Sequence, residues 1–305
     1  MSRLARTLTP ALLAFLSACG GVASGGRAPV ASAPTWDEAA NATYTGIEQS
    51  PIVLSDGAWD GEPFDPDGFA RPHVMLVPDF WLAGDLDGDR APEGVVLLSA
   101  SSGGSGTDLH VAALARRQGA IVDAGTALVG NRVQVRNARI EGGRIVLDVV
   151  QAGPDDAMCC PGEKATRAFA FEGEALVEVE SRVTGRLVPG DLSGVEWVLV
   201  KLGRDEPASA EPELTFQVDG SRVSGAAGCN RYFGEMIAGA GPGELVIRLV
   251  GSARASCAEP AKSLESRYLT ALELVRRFGF VAGDLVLTSP DGVASLWFRA
   301  RTLAK

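Results

Sequence analysis

Only two histidines, His73 and His110, occur in 305 residues, so an active site needing a near-neutral base has little to draw on. Neither stands in a recognisable catalytic setting. Gly103-Gly104-Ser105-Gly106-Thr107 approaches a nucleophile elbow but lacks the final glycine, and its Ser/Gly density reads as a hairpin tip. Phosphate loops and dinucleotide fingerprints are missing. Paired acids such as Asp155-Asp156 fall in loops, where solvated charge is their ordinary meaning. Basic runs are missing too. With 28 Lys+Arg against 38 Asp+Glu the formal charge is −10, which argues against nucleic acid as a partner, since phosphate binding needs a basic stripe. After the N terminus no segment has the length and apolarity of a membrane span, so the expected body is soluble. These absences point to a chain that is not an enzyme and carries no organic cofactor.

Glycine is abundant, at 37 residues, and short alternating Val/Leu runs recur between turn signals. The fold class expected is mainly β (α+β). The clearest strands are 79–84, 94–100, 109–115, 132–136, 144–150, 166–171 and 175–180. Glu141-Gly142-Gly143 and Glu172-Gly173-Glu174 supply hairpin turns. The stretch 181–192, with Gly185, Pro189 and Gly190, is the best boundary. Two β-rich modules follow, 36–182 and 193–303.

Arg3 and Arg6 precede an apolar run from Leu8 to Leu16, too short to cross a bilayer as a mature helix, and Ser17-Ala18-Cys19-Gly20 closes it. This resembles the lipobox of bacterial lipoproteins. The resemblance implies removal of a signal peptide, residues 1–18, and acylation of Cys19 on sulfur and on its new amino group. Gly20, where an aspartate would act as a retention signal, implies the outer membrane of a Gram-negative cell, facing the periplasm. Several acyl chains on one residue give stable anchoring. Residues 19–35, rich in Gly, Ala, Ser and Pro, are expected to form a flexible tether. About 287 residues then remain, more than one core usually absorbs.

Asp85, Asp87, Asp89 and Glu93 place carboxylates in one loop at a spacing that turns oxygens to a common point, as Ca²⁺ requires. The loop resembles those of FG-GAP and dockerin-like repeats, in a single copy. Arg90 stands where such loops usually carry glycine, and the bidentate glutamate of an EF-hand is missing, so the implied affinity is in the roughly sub-millimolar range of extracellular modules. A solvated acidic loop accounts for the same residues.

In the second module, 214–225 reads as a hairpin running into Gly228-Cys229-Asn230-Arg231-Tyr232-Phe233-Gly234. That turn, the strand Leu192 to Leu199 with Trp197, Ala253 to Ala258 with Cys257, the segment Glu265 to Leu272, and Gly283 to Leu287 with Leu296-Trp297-Phe298 together resemble the META domain. This HslJ-like family belongs to bacterial envelope proteins, and the first module resembles an uncharacterised β-rich segment found before META domains. The resemblance implies a small antiparallel half-barrel with one helix, and a role in envelope maintenance or stress tolerance. Independently, Leu264, Tyr268, Leu272 and Val275 recur at helical spacing and predict a helix over 263–277, capped by Ser263, with Arg276 and Arg277 at its negative end. Asn230, Arg231 and Tyr232 are a candidate recognition turn. The stronger reading is structural, with Asn230 bonding main chain and Tyr232 and Phe233 packed inward. Beyond Cys19, four cysteines in an oxidising compartment permit three connectivities. The resemblance implies Cys229–Cys257, a loop of about 27 residues contributing about 3 to 4 kcal/mol. Cys159 and Cys160 then remain as neighbours, a loop staple or a redox switch.

The function expected is a lipid-anchored, non-enzymatic envelope protein. The alternatives are a Ca²⁺-dependent binding module, or a small-ligand carrier using the barrel interior. A core filled by Trp197, Phe216, Tyr268 and Trp297 would argue against the carrier.

Overall fold

The structure is a computed structural model, and it describes residues 32–301 apart from 105, 158, 204–205, 209–212, 254, 256–257 and 293–294. The expected signal peptide, Cys19, most of the tether and Cys257 lie outside the described residues. No helix among those residues is long and apolar enough to cross a membrane. The tether expected up to residue 35 ends earlier. Ser32 O accepts Arg116 Nε at 3.3 Å, and Thr35 caps α1 (Trp36–Ala39) in a capping box with Glu38.

The chain is mainly β. In the first module β1 (Thr43–Tyr44) and β2 (Ile52–Val53) form a ribbon. A six-stranded antiparallel sheet contains β3 (Ala58–Asp60), β4 (His73–Leu76), β5 (Leu82–Gly84), β6 (Glu93–Ser101), β7 (Asp108–Arg117) and β8 (Ala120–Asn131). A four-stranded sheet, ordered β12-β11-β10-β9, contains β9 (Gln134–Glu141), β10 (Arg144–Gln151), β11 (Glu163–Glu172) and β12 (Ala175–Arg186). Period-2 alternation sorts the central strands between two cores. Val95, Leu97, Val111 and Ala113 pack against Ile145, Leu147 and Phe169 of the second sheet. Val96, Leu98, Ala112 and Leu114 pack on the other side against Tyr44, Ile52 and Leu54. Because both faces are covered, Val95 to Leu98 reads as a continuous apolar run.

Two strand expectations fail locally. Asp79 has φ 59° and only 82–84 is strand, because the left-handed residue breaks extended pairing. Arg132, also left-handed at φ 54°, turns the chain between β8 and β9, so 132–136 is a turn entering a strand.

A single 3-10 turn, Pro189–Leu192, joins the modules. Asp191 anchors it, with Oδ1 2.5 Å from Lys164 Nζ and Oδ2 accepting Val188 N at 2.9 Å. The second module is a nine-stranded antiparallel sheet that curls on itself. Its path is β18 (Leu245–Ser252), β17 (Arg231–Ala238), β16 (Arg222–Ala226), β15 (Thr215–Asp219), β13 (Glu196–Leu202), β21 (Ser295–Arg301), β20 (Asp284–Thr288) and β19 (Arg277–Val281), with β14 (Glu206–Pro207) beside β13. The two ends meet where Leu245 N donates to Arg276 O at 3.0 Å and Phe278 N to Gly243 O at 2.7 Å. Helix α2 (Ala261–Leu274) packs against β18 and β21, giving the half-barrel its lid.

The helix begins two residues before the predicted start, so Ser263 does not cap it; Glu259 Oε2 instead accepts Ser263 N at 3.1 Å. Arg276 does sit at the negative end, donating to Glu273 O at 2.8 Å and Val275 O at 2.7 Å, whereas Arg277 opens β19. Trp197, Phe216 and Tyr268 are buried as expected, but it is Phe298 rather than Trp297 that joins them. Strand alternation turns Trp297 outward, under Lys201 Nζ at 5.5 Å.

The modules keep separate sheets yet pack together. Phe280 N donates to Gln134 Oε1 at 3.0 Å and Gly283 N to Val135 O at 2.9 Å. Val150 and Leu187 belong to the second module's core, and residues 31–305 form one compact unit.

Candidate functional site

The acidic loop joins β5 to β6. Asp85, Asp87 and Asp89, all exposed, bring carboxylate oxygens within 4.8 Å of one another. The loop winds around them. Asp85 accepts Gly88 N at 2.7 Å and Arg90 N at 3.1 Å, Asp87 accepts Asp89 N at 3.0 Å, and Asp89 accepts Ala91 N at 2.7 Å. Arg90 occupies the left-handed region, φ 74°, that such loops usually leave to glycine. Glu93 does not join the trio. It opens β6 with 2% exposure, and its Oε2 accepts Leu86 N at 2.8 Å, staking the loop to the sheet. Burial pushes its carboxyl above the ordinary range, the Leu86 amide opposes that shift, and Asp87 and Asp89 add to it. A hard cation held by the trio would take its remaining oxygens from main chain and water.

The candidate recognition turn ends the β16–β17 connection at Asn230 and enters β17 with Arg231 and Tyr232, and two of its three residues serve the fold. Asn230 Oδ1 accepts Ala255 N at 2.8 Å, while Nδ2 donates to Glu265 Oε1 and Oε2 at 3.0 Å each. It thereby ties Ala255 to helix α2. Tyr232 points into the core, where its hydroxyl and that of Tyr268 lie 3.0 Å apart and reach Thr215 O at 2.9 and 3.0 Å. Burial raises the pKa of both phenols. Gly225 permits this convergence, because a Cβ there would stand 1.9 Å from Thr215 O. Only Arg231 faces solvent among the three. Phe233, expected inside, is 52% exposed, since neighbouring residues on a strand face opposite ways.

Cys159 and Cys160 are bonded to each other. Cys229 is also disulfide-bonded. The 152–162 loop carrying the adjacent pair is braced by Asp156, which is not a solvated acid. Its side chain is 3% exposed, and it accepts Gly153 N and Gly162 N at 2.8 Å and Arg186 Nη1 at 3.0 Å. The Arg186 guanidinium, with the two amides, lowers its pKa to about 2. Sequence reading missed this brace because its members are 30 residues apart. Cys159, Pro161, Pro242 and Phe280 border a groove of about 260 Å³ between the modules.

The histidines are separated. His110 on β7 is 7% exposed, burial depresses its pKa, and Nδ1 has no partner among the described residues. His73 Nδ1 lies 2.7 Å from Asp60 Oδ1 at the surface.

Residues 190–302 match the family model of the META domain. An NMR structure of a protein from Burkholderia xenovorans is 25% identical, covers 37% of this chain and 85% of its own, and superposes with a TM-score of 0.32. No curated protein gives a significant match. The C-terminal part of this chain is a META domain.

Proposed function

We propose that this protein is a lipid-anchored, non-enzymatic component of the bacterial envelope, held through Cys19 at the outer membrane and facing the periplasm. Its META domain would serve envelope maintenance or stress tolerance through surface contacts. The observation that carries this reading is the joint presence of a META domain over 190–302 and the lipobox-like Leu16-Ser17-Ala18-Cys19-Gly20. The placement of polar groups supports it. Asn230, Glu265, Tyr232, Tyr268 and Asp156 hold chain segments together, and His110 is buried with its charged form disfavoured. Trp197, Phe216, Tyr268 and Phe298 fill the half-barrel, which favours surface contact over interior carriage. The test is metabolic labelling with a palmitate analogue in a Gram-negative host. Wild type takes up label and fractionates with outer membrane, and Cys19→Ala loses both; an unlabelled wild type would refute the anchor.

Calcium binding is a second reading, favoured by the mutual approach of Asp85, Asp87 and Asp89. Millimolar calcium is then expected to raise the melting temperature relative to chelator, and Asp87→Asn to abolish the increase. Identical melting in both buffers would leave the loop as solvated surface.

A further inference from the structure

Strand β12 is one edge of the four-stranded sheet. Its beginning is covered, with Leu176 buried beside Gly125 of β8. From Glu178 to Arg186 every residue is exposed, and β11 is the only strand paired with it among the described residues. Val179 is 38% and Val183 57% exposed. An open edge presents unpaired amides and carbonyls, and folded proteins guard such edges with charges, bulges, proline or a covering loop. This stretch contains no proline; its guards are charges of both signs and bulges, and charges of both signs admit a partner of matching pattern. Register shifts place bulges at Val179 and Thr184, leaving Glu180 to Val183 regular between them.

That stretch is its own antiparallel complement. Val179-Glu180-Ser181-Arg182-Val183 reads apolar, acidic, small, basic, apolar. Turned about a two-fold axis through Ser181, Glu180 meets Arg182 of a second copy and Arg182 meets Glu180, while Val183 falls against the bulge at Val179. The faces agree as well. Glu180 lies opposite Ala168 and Arg182 opposite Thr166, so both charges stand on one face of the sheet, while Ser181 and Val183 stand on the other. Within the chain these charges are poorly matched. Glu180 has Arg144 at 3.9 Å, and Arg182 has no ion pair among the described residues. We propose that β12 is a dimerisation edge, pairing antiparallel with β12 of a second copy so that the two four-stranded sheets become continuous.

The test uses the full-length chain in detergent, with mass followed by sedimentation and fold by circular dichroism. Wild type is expected to dimerise. Glu180→Arg and Arg182→Glu each set like charges against each other twice, and each is expected to raise the dissociation constant about tenfold or more. Mixing the two variants should recover a mixed dimer, because each supplies the charge the other lacks. The double exchange E180R/R182E in one chain should recover the homodimer. Ser181→Cys, on the axis, should give a reductant-sensitive covalent dimer. A wild type that stays monomeric across the concentration range would overturn the proposal. So would a dimer indifferent to both charge reversals, which would place the contact elsewhere, or β12 occupied instead by a different protein.

Discussion

Asn230 connects three pieces of chain that are distant in sequence: its own turn, Ala255 and Glu265. With 6% exposure, its amide satisfies a main-chain N–H and a half-buried carboxylate. Asn230→Ala strands both, and the expected loss is about 2–3 kcal/mol in urea unfolding. Asn230→Asp should cost more, because it sets a second carboxylate against Glu265. Asp156 makes a prediction in pH. Its folded-state pKa, about 2, lies below the ordinary 3.8, so its contribution is present above the ordinary carboxylate range and lost as pH falls toward 2. Wild type and Asp156→Asn should therefore differ most near neutrality and converge in acid. A constant gap across an acid titration would count against the ionic brace.

Among the elements, helix α2 shows how far a periodic pattern carries. Leu264, Tyr268, Leu272 and Val275 identified the buried stripe, and the helix forms two residues earlier and three shorter at its end than the pattern alone set. Val275 is still fully buried, but as the first residue past the helix. Leu272 has 0% exposure, so Leu272→Ala should destabilise by about 2–5 kcal/mol, measured by thermal or urea denaturation. The hairpin turns at Gly142-Gly143 and Gly173 were legible because left-handed positions there demand glycine. Strand β8 was not. Ala124, Gly125 and Ala127 interrupt its β-branched residues, and its mostly half-buried residues blur the alternation that reveals a strand. For the candidate sites, the aspartate trio could be read from spacing, since its residues are local. Removing Glu93 from that set required the strand's facing, and the roles of Glu265, Thr215 and Arg186 depend on contacts between elements remote in sequence.

At the scale of the molecule, the boundary is a seam rather than a linker. Asp191 is held by Lys164, Asp79 lies 3.2 Å from Arg299, and Gln134 bonds the main chain of β19. Calorimetry of the intact chain should accordingly show the two modules melting in one cooperative transition; two resolved transitions would show that the seam does not couple them. The bonds from Gln134 and Val135 fall on β19 and its turn, at one end of the curled sheet. Excision of the META domain would therefore cut through packed surface. Excised alone, it would bare a rim bearing Phe280 and Val286 and lose the support of Val150 and Leu187, so the first module serves it as a permanent wall of its core.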